Sequence, residues 1–152
     1  MVIVAMAMVG CAHPKPAGPV YTPGMHRLIA LPTDAASYPA AAERATTFLG
    51  RTRVRGFDPP ELGKVSLEVV QLSIECVEPT PACYTAVGKS LSANQLLFAQ
   101  LEAGPKDDQV QVSVSLFDVD TATMKRQARK VFDTEQDAVY GIRDVVEEAT
   151  KP

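Results

Sequence analysis

The strongest constraint on the fold is an alternation of apolar and polar residues near the middle of the second half of the chain. Its apolar members are Val110, Val112, Val114 and Leu116, and Gln111, Ser113 and Ser115 separate them. Successive side chains of a β-strand point to opposite faces, so this period of two predicts a half-buried antiparallel strand. We therefore expect this segment to belong to a β-sheet.

Apolar periodicity and turn residues predict the remaining elements. Strands are expected over residues 27–32, 52–57, 95–103 and 110–116, with a last strand that ends at Phe132. Helices are expected to end at Gly50, to cover residues 65–76, and to begin at Thr80 and at Asp133. The order β-α-β-α-α-β-β-β-α predicts an α/β (α+β) fold, in which helices pack on a mixed, largely antiparallel sheet.

The stretch from residue 58 to residue 76 has two interpretations. Asp58-Pro59-Pro60-Glu61 is typical of a helix start, with Asp as the cap and Pro at the first helical position. A helix from there would place on one face Leu62, Val65, Val69, Leu72 and Cys76. Within the same stretch, apolar residues also alternate as in a strand, first Val65, Leu67 and Val69 and then Val70, Leu72 and Ile74. The start signal and the length favour the helix.

The first residues are typical of a targeting signal. Residues 1–10 are all apolar or small and stop at Cys11. This length suits the apolar core of a signal peptide and is about half of what a membrane-spanning helix needs. No Lys or Arg precedes Cys11, which departs from the usual basic start, and a short apolar strand or helix is the alternative. The Pro- and Gly-rich residues 11–25 predict an extended tether, and residues 26–150 a single domain.

Met8-Val9-Gly10-Cys11 resembles the lipobox of bacterial lipoproteins, in which a small residue precedes a cysteine that becomes acylated and amino-terminal. The resemblance implies that a lipid on Cys11 anchors the chain to a membrane and places the domain in the periplasm. Ala12 follows, where lipoproteins of the inner membrane often have Asp. The outer membrane is therefore favoured.

Two further cysteines remain once Cys11 is assigned to a lipid. Cys76 and Cys83 are close in sequence, and an even pair in an oxidising compartment favours a disulfide. A zinc site is the alternative, but His13 and His26 lie in or beside the tether and there is no second cysteine pair. No metal site is expected.

A run of arginines suggests a binding surface. Arg51, just before the predicted strand 52–57, alternates with Arg53 and Arg55 inside it. The three would share a face, which Lys125, Arg126 and Arg129 could extend in space. One interpretation is an edge strand protected by charge against unwanted pairing. The other is a docking face for an acidic protein, an anionic lipid or peptidoglycan, to which arginine offers paired hydrogen bonds.

Other chemistry is poorly supported. The net charge of −3 and the absence of Trp argue against nucleic-acid binding. Gly88-Lys89-Ser90 resembles the end of a phosphate-binding loop, but Cys83 occupies the position of the first required glycine. Asp118 and Asp120 lack the additional oxygen ligands of a calcium loop. We expect no catalytic residues, no cofactor and no enzymatic activity.

The region from Cys76 onward shows a further resemblance. Ser92-Ala93-Asn94 precedes the strand LLFAQLE, and residues 116–121 (LFDVDT) match an L-x-D-x-x-T/S-G step, with Ala122 where glycine is usual. Over most of residues 26–150 this pattern resembles the amino-terminal α/β domain of TolB and the related domain of CsgG. The resemblance implies a domain that holds partners or builds assemblies. We therefore expect a non-catalytic lipoprotein that recruits, scaffolds or regulates an envelope protein complex, with a small-ligand or peptidoglycan-binding module as the alternative.

Overall fold

The computed structural model describes residues 18–152. The strands are β1 (Leu28–Ala30), β2 (Glu61–Leu62), β3 (Gln95–Ala103), β4 (Val110–Asp118) and β5 (Thr123–Phe132). The helices are α1 (Pro39–Leu49), α2 (Leu67–Ser73), α3 (Pro81–Ser90) and α4 (Glu135–Thr150). This order confirms the predicted one. The predicted signal peptide, the lipobox with Cys11, and His13 lie outside the described residues.

The strands form one five-stranded sheet in the order β2-β1-β3-β4-β5. β1 runs parallel to β2 and to β3, whereas β3, β4 and β5 form an antiparallel meander. The sheet is therefore mixed and mostly antiparallel, as predicted. Its order leaves β5 as a long edge strand. In the part of the chain that the structure describes, no helix combines the length and apolarity needed to cross a membrane.

Helices cover both faces of the sheet. On the first face, α1 and α4 pack on side chains such as Leu97 and Val114. On the second face, α2 and α3 pack on side chains such as Leu96 and Phe98. Neighbouring residues of β3 thus enter different cores because the side-chain period of a strand is two.

β4 is more deeply buried than the alternation alone predicted. Val110, Val112, Val114 and Leu116 share one face, as the alternation predicted, and pack with α1 and α4, but Ser113 and Ser115 on the second face are buried as well. Long polar side chains of β5 cover them: Gln127 Nε2 donates to Ser115 Oγ over 3.1 Å, and Arg129 Nε donates to Ser113 Oγ over 3.2 Å. The serines are paired and therefore tolerate burial.

The predictions for residues 52–61 were wrong. Residues 52–57 form a loop, and the second strand lies later, at Glu61–Leu62. Glu61 pairs with Ile29 of β1, and its carboxylate forms a 2.8 Å ion pair with Arg27. Asp58-Pro59-Pro60-Glu61 consequently leads into a strand, and the helix starts only after Ser66. Pairing with β1 places residues 61–62 in the sheet. Local helix-start signals carry no information about such a long-range contact.

The helix predicted over residues 65–76 is confirmed as the shorter α2, but its predicted buried face was wrong. Leu67 and Val70 are buried, whereas Val69 and Leu72 are exposed. An apolar run this dense offers more than one apolar stripe at helical spacing. Contact with the second face of the sheet selects the stripe that contains Leu67 and Val70.

Candidate functional site

The structure brings together only some of the predicted basic residues. Arg55, from the loop after α1, meets Lys125 and Arg126 of β5 around a cavity of about 210 Å³. The cavity opens at one end of the first face, between that loop, the sheet and the end of α4. We call it the basic cavity. Because residues 51–55 form a loop, they do not share the face of a strand, and Arg51 and Arg53 do not line this cavity.

An irregularity in strand pairing places the two β5 residues at the basic cavity. Leu116 pairs with Arg126, but Phe117 pairs with Met124, so Lys125 is an extra residue in β5. Such a bulge redirects side chains locally. Lys125 Nζ lies 3.0 Å from Asp118 Oδ2. Partial burial raises the pKa of Asp118, but hydrogen bonds from Thr121 and Lys125 outweigh it and hold the pKa below its ordinary value.

Two residues that the sequence reasoning did not single out complete the basic cavity. Lys151, just after α4, adds a further cation to its lining. Gln95, the first residue of β3, lines its base and is fully buried. Within residues 18–152, neither Nε2 nor Oε1 of Gln95 has a hydrogen-bond partner. The available signal for Gln95 was a polar residue directly before an apolar run, whereas no sequence signal pointed to Lys151.

The other predicted basic residues lie elsewhere. Arg51 lines a separate cavity of about 240 Å³ with Arg143 and Glu147. Arg129 lines a groove of about 490 Å³ on the second face, which also contains Gln100, Glu102, Gln127 and Tyr84. The proposed six-residue basic surface is therefore divided between the two faces of the sheet. Alternation along β5 places Arg129 and Arg126 on opposite faces because they are three positions apart, an odd number.

A disulfide lies beside the groove on the second face. Cys76 and Cys83 are joined with their Cα atoms 5.6 Å apart, which links the end of α2 to the first turn of α3. Thr80 caps α3 by accepting a hydrogen bond from the backbone N–H of Cys83. Pro79 and Pro81, within the loop that the disulfide closes, form one wall of the groove.

The residues before β1 are fastened to the domain by one carboxylate. Asp120 accepts hydrogen bonds from Tyr21 Oη, from the backbone N–H of Gly24 and from Asn94 Nδ2. Asn94 Nδ2 also donates to the carbonyl of Thr22. Ser92 Oγ donates to the carbonyl of Pro19. The boundary at residue 26 stays a prediction, but these contacts restrict the predicted tether from residue 19 onward. Asp118 and Asp120 therefore act in folding contacts with Lys125 and with this segment.

Close packing accounts for the glycine at position 88, the first residue of the Gly88-Lys89-Ser90 sequence. It lies in the second half of α3, where a Cβ would come 2.2 Å from Cγ2 of Val119. A phosphate-binding loop instead offers its backbone N–H groups at the beginning of a helix. Among the described residues, no group of three or more His, Cys, Asp or Glu side chains is arranged to hold a metal ion.

The solved structures that resemble this fold include an LpoB domain and TolB. The LpoB C-terminal domain from Salmonella enterica aligns with a TM-score of 0.49 and 11% identity, covering 72% of this chain and 84% of that one. TolB from Acinetobacter baumannii aligns with a TM-score of 0.43 and 14% identity, covering 86% of this chain but only 30% of TolB. The sequence matches no protein-family model and no curated protein. Likeness at this level assigns neither a family nor a function.

Proposed function

We propose that this chain is a membrane-anchored, non-catalytic lipoprotein of the bacterial envelope whose domain recruits, scaffolds or regulates a protein complex. The observation that carries the proposal is the edge strand β5. It is ten residues long and lies at the end of the sheet, where β4 pairs with it on one side. The backbone groups of its other side are available to a strand of a partner protein.

The charge of β5 favours a partner of a different kind from the chain itself. Lys125, Arg126, Arg129 and Lys130 all lie on this strand and are exposed. Two copies meeting edge to edge would bring like charges together, which opposes self-pairing. An acidic partner segment would gain attraction and faster association from the same charges. The basic edge thus disfavours pairing between two copies of the chain and favours an acidic protein partner.

The resemblance of Met8-Val9-Gly10-Cys11 to a lipobox supports the anchor, and the contacts of Asp120 bear on the length of the tether. A lipid on Cys11 would hold the chain to the membrane, with outer-membrane attachment favoured by Ala12. Because residues 19–24 are held against the domain, a Pro-rich spacer of residues 11–18 would reach roughly 25 Å at about 3.1 Å per residue. The domain would therefore stay close to the membrane surface.

Site-specific photo-crosslinking in the native host tests the proposal. A photoreactive residue at Val131 on β5 should give one discrete protein adduct, identified by mass spectrometry, and the same residue at Glu43 on α1 should not. The double charge reversal Arg126→Glu/Lys130→Glu should lower the adduct yield at least about tenfold, and Lys130→Arg should retain it. Equal adducts from both positions, or a yield insensitive to charge reversal, would contradict the role of β5.

The anchor is tested separately with the Cys11→Ser variant. Radiolabelled palmitate should enter the wild-type chain and not the variant, and the variant should leave the membrane fraction. Recovery of unmodified wild-type chain in the cytosol would contradict the lipoprotein assignment.

A small-ligand or peptidoglycan-binding function is the second candidate, and the groove on the second face favours it. Amide, carboxylate and guanidinium groups from Gln100, Glu102 and Arg129 lie there beside the ring of Tyr84. Such a mixture suits the hydroxyl and peptide groups of cell-wall fragments. Recovery of muropeptides with the wild-type chain but not with Arg129→Ala would support this candidate. Recovery of a stoichiometric protein partner without muropeptides would favour the first.

A further inference from the structure

We infer that the basic cavity binds a small oxyanion that also carries an O–H group, of which hydrogen phosphate is the simplest example. The inference goes beyond the proposed function, because it concerns a soluble ion bound by the isolated chain and requires no protein partner. It rests on the charge of the cavity, on its size and on the unpaired side chain at its base.

The lining of the cavity has an excess of positive charge. The charge of Lys125 is offset by Asp118, which lies 3.0 Å away. No ion pair within residues 18–152 involves Arg55, Arg126 or Lys151. Unpaired cations that converge on a partly enclosed space attract an anion more strongly than cations that are spread over the surface. Arginine in particular can donate paired hydrogen bonds to carboxylate and phosphate oxygens.

The volume suits a small ligand. The cavity measures about 210 Å³, whereas one water molecule occupies about 30 Å³ of liquid. A phosphate or a short hydroxycarboxylate therefore fits together with some water. A folded protein segment or an extended sugar chain could place only a small part of itself there.

Gln95 indicates that the ligand carries both an acceptor and a donor. Its side chain is fully buried, and neither Nε2 nor Oε1 has a partner among the described residues. Buried amides are normally paired, because an unpaired one has lost its water without a replacement. Nε2 can donate to an oxyanion oxygen, and Oε1 can accept only from a group with an O–H or N–H. Hydrogen phosphate and lactate offer both kinds of group, whereas sulfate and acetate at neutral pH offer acceptors only.

Access requires a local rearrangement. The amide of Gln95 is covered in this structure, and the rim consists of long, exposed side chains from Arg55, Arg126 and Lys151. Exposed side chains of this kind change rotamer rapidly. A ligand would displace the rim, and the rim arginines would then close over the anion.

The test is a nuclear magnetic resonance titration of the purified full chain, in which the side-chain amide signal of Gln95 and the backbone amide signals of Arg55 and Leu116 are followed. The two backbone signals remain readable in every variant, including Gln95→Leu. Hydrogen phosphate and lactate are the probes, which distinguish a phosphate from a carboxylate as the anionic group. Sulfate and acetate at equal ionic strength are the controls without an O–H. At least one probe should give a saturable shift with a dissociation constant of about 1 mM or lower.

Three variants connect this shift to the cavity. Arg126→Gln should weaken binding about tenfold or more, since it removes a charged hydrogen-bond donor. Gln95→Leu should abolish binding and should fold with a melting temperature at least as high as that of the wild type, because it removes an unpaired buried amide. Arg53→Gln, on the same loop as Arg55 but outside the cavity, should bind as the wild type does. Shifts that do not saturate with either probe, equal binding of the controls, or full binding by Gln95→Leu would overturn the inference.

Discussion

Tyr21 and Asp120 lie 99 positions apart, yet the Tyr21 hydroxyl donates a hydrogen bond of 2.7 Å to Asp120 Oδ1. The second carboxylate oxygen accepts a 2.9 Å hydrogen bond from the backbone N–H of Gly24. One side chain in the turn between β4 and β5 thus fixes the segment that precedes the first strand. This contact decides where the chain enters the domain.

Asp120→Ala is expected to release this segment. The variant loses the acceptor for Tyr21 and Gly24, which should lower the free energy of unfolding by about 1 to 2 kcal/mol. Hydrogen exchange at residues 20–25 should become faster, whereas exchange in β3 and β4 should stay slow. Asp107→Ala, in the turn between β3 and β4, is the matched control. Unchanged exchange at residues 20–25 would show that other contacts hold the segment.

Stability should fall in acid because of Asp118 and Asp120. Partial burial raises the pKa of Asp120, but hydrogen bonds from Asn94, Gly24 and Tyr21 outweigh it and hold the pKa below its ordinary value of 3.8. The pKa of Asp118 is lowered too. Above the pKa that these carboxyl groups have in the unfolded chain, both carboxylates contribute fully to the stability of the fold. As the pH falls from about 4 through the lowered folded pKa values, the unfolded chain binds protons first and stability is lost.

Urea unfolding at a series of pH values measures this loss. The double variant Asp118→Asn/Asp120→Asn should be less stable at neutral pH and should show a shallower fall in acid, because two titrating contacts are gone. Asp107→Asn, whose side chain has no hydrogen bond among the described residues, provides the comparison. An acid slope as steep in the double variant as in the wild type would assign the loss to other groups.

Gly88→Ala should destabilise the chain although alanine is the better helix former. Helix propensity favours alanine over glycine by about 1 kcal/mol. The new Cβ, however, would lie 2.2 Å from Cγ2 of Val119, which is almost fully buried, and overpacking typically costs about 1 to 3 kcal/mol. We therefore expect a net loss of about 1 kcal/mol in urea unfolding.

Val119→Ala provides the control for this packing argument. It leaves a small cavity by itself, but combined with Gly88→Ala it removes the clash. The double variant should be more stable than the sum of the single effects predicts, by about 1 kcal/mol. Strict additivity of the two effects would show that Gly88 and Val119 do not meet as the structure has them.

The disulfide should stabilise the domain. Closing the short loop between Cys76 and Cys83 is worth about 2 to 3 kcal/mol in the chain-entropy description, so a reductant should lower the urea midpoint of the wild type. The double variant Cys76→Ser/Cys83→Ser should start at the lower midpoint and should not respond to the reductant. A wild-type midpoint that is the same in both conditions would mean that the two thiols are not joined in solution.

Local sequence patterns predicted an element correctly where its conformation depends mainly on its own residues. The alternation from Val110 to Leu116 predicted β4, and Thr80-Pro81 correctly marked the start of α3. Where a segment had two plausible structures, the predictions were less accurate. Glu61 became part of a strand because Arg27 and Ile29 lie next to it in the fold. Neither residue is near it in the sequence.

The sequence by itself determined the fold class, the order of the elements and the presence of basic residues around positions 51–55 and 125–129. Periodicity and turn signals depend on residues close together in the sequence, so they can be read without knowledge of the fold. Only the tertiary structure decided that Arg55 and Arg126 meet while Arg129 lies on the opposite face, and that Gln95 lies unpaired beneath the first two. These relationships depend on one extra residue in β5 and on a loop that crosses to it, and both are set by packing between distant parts of the chain.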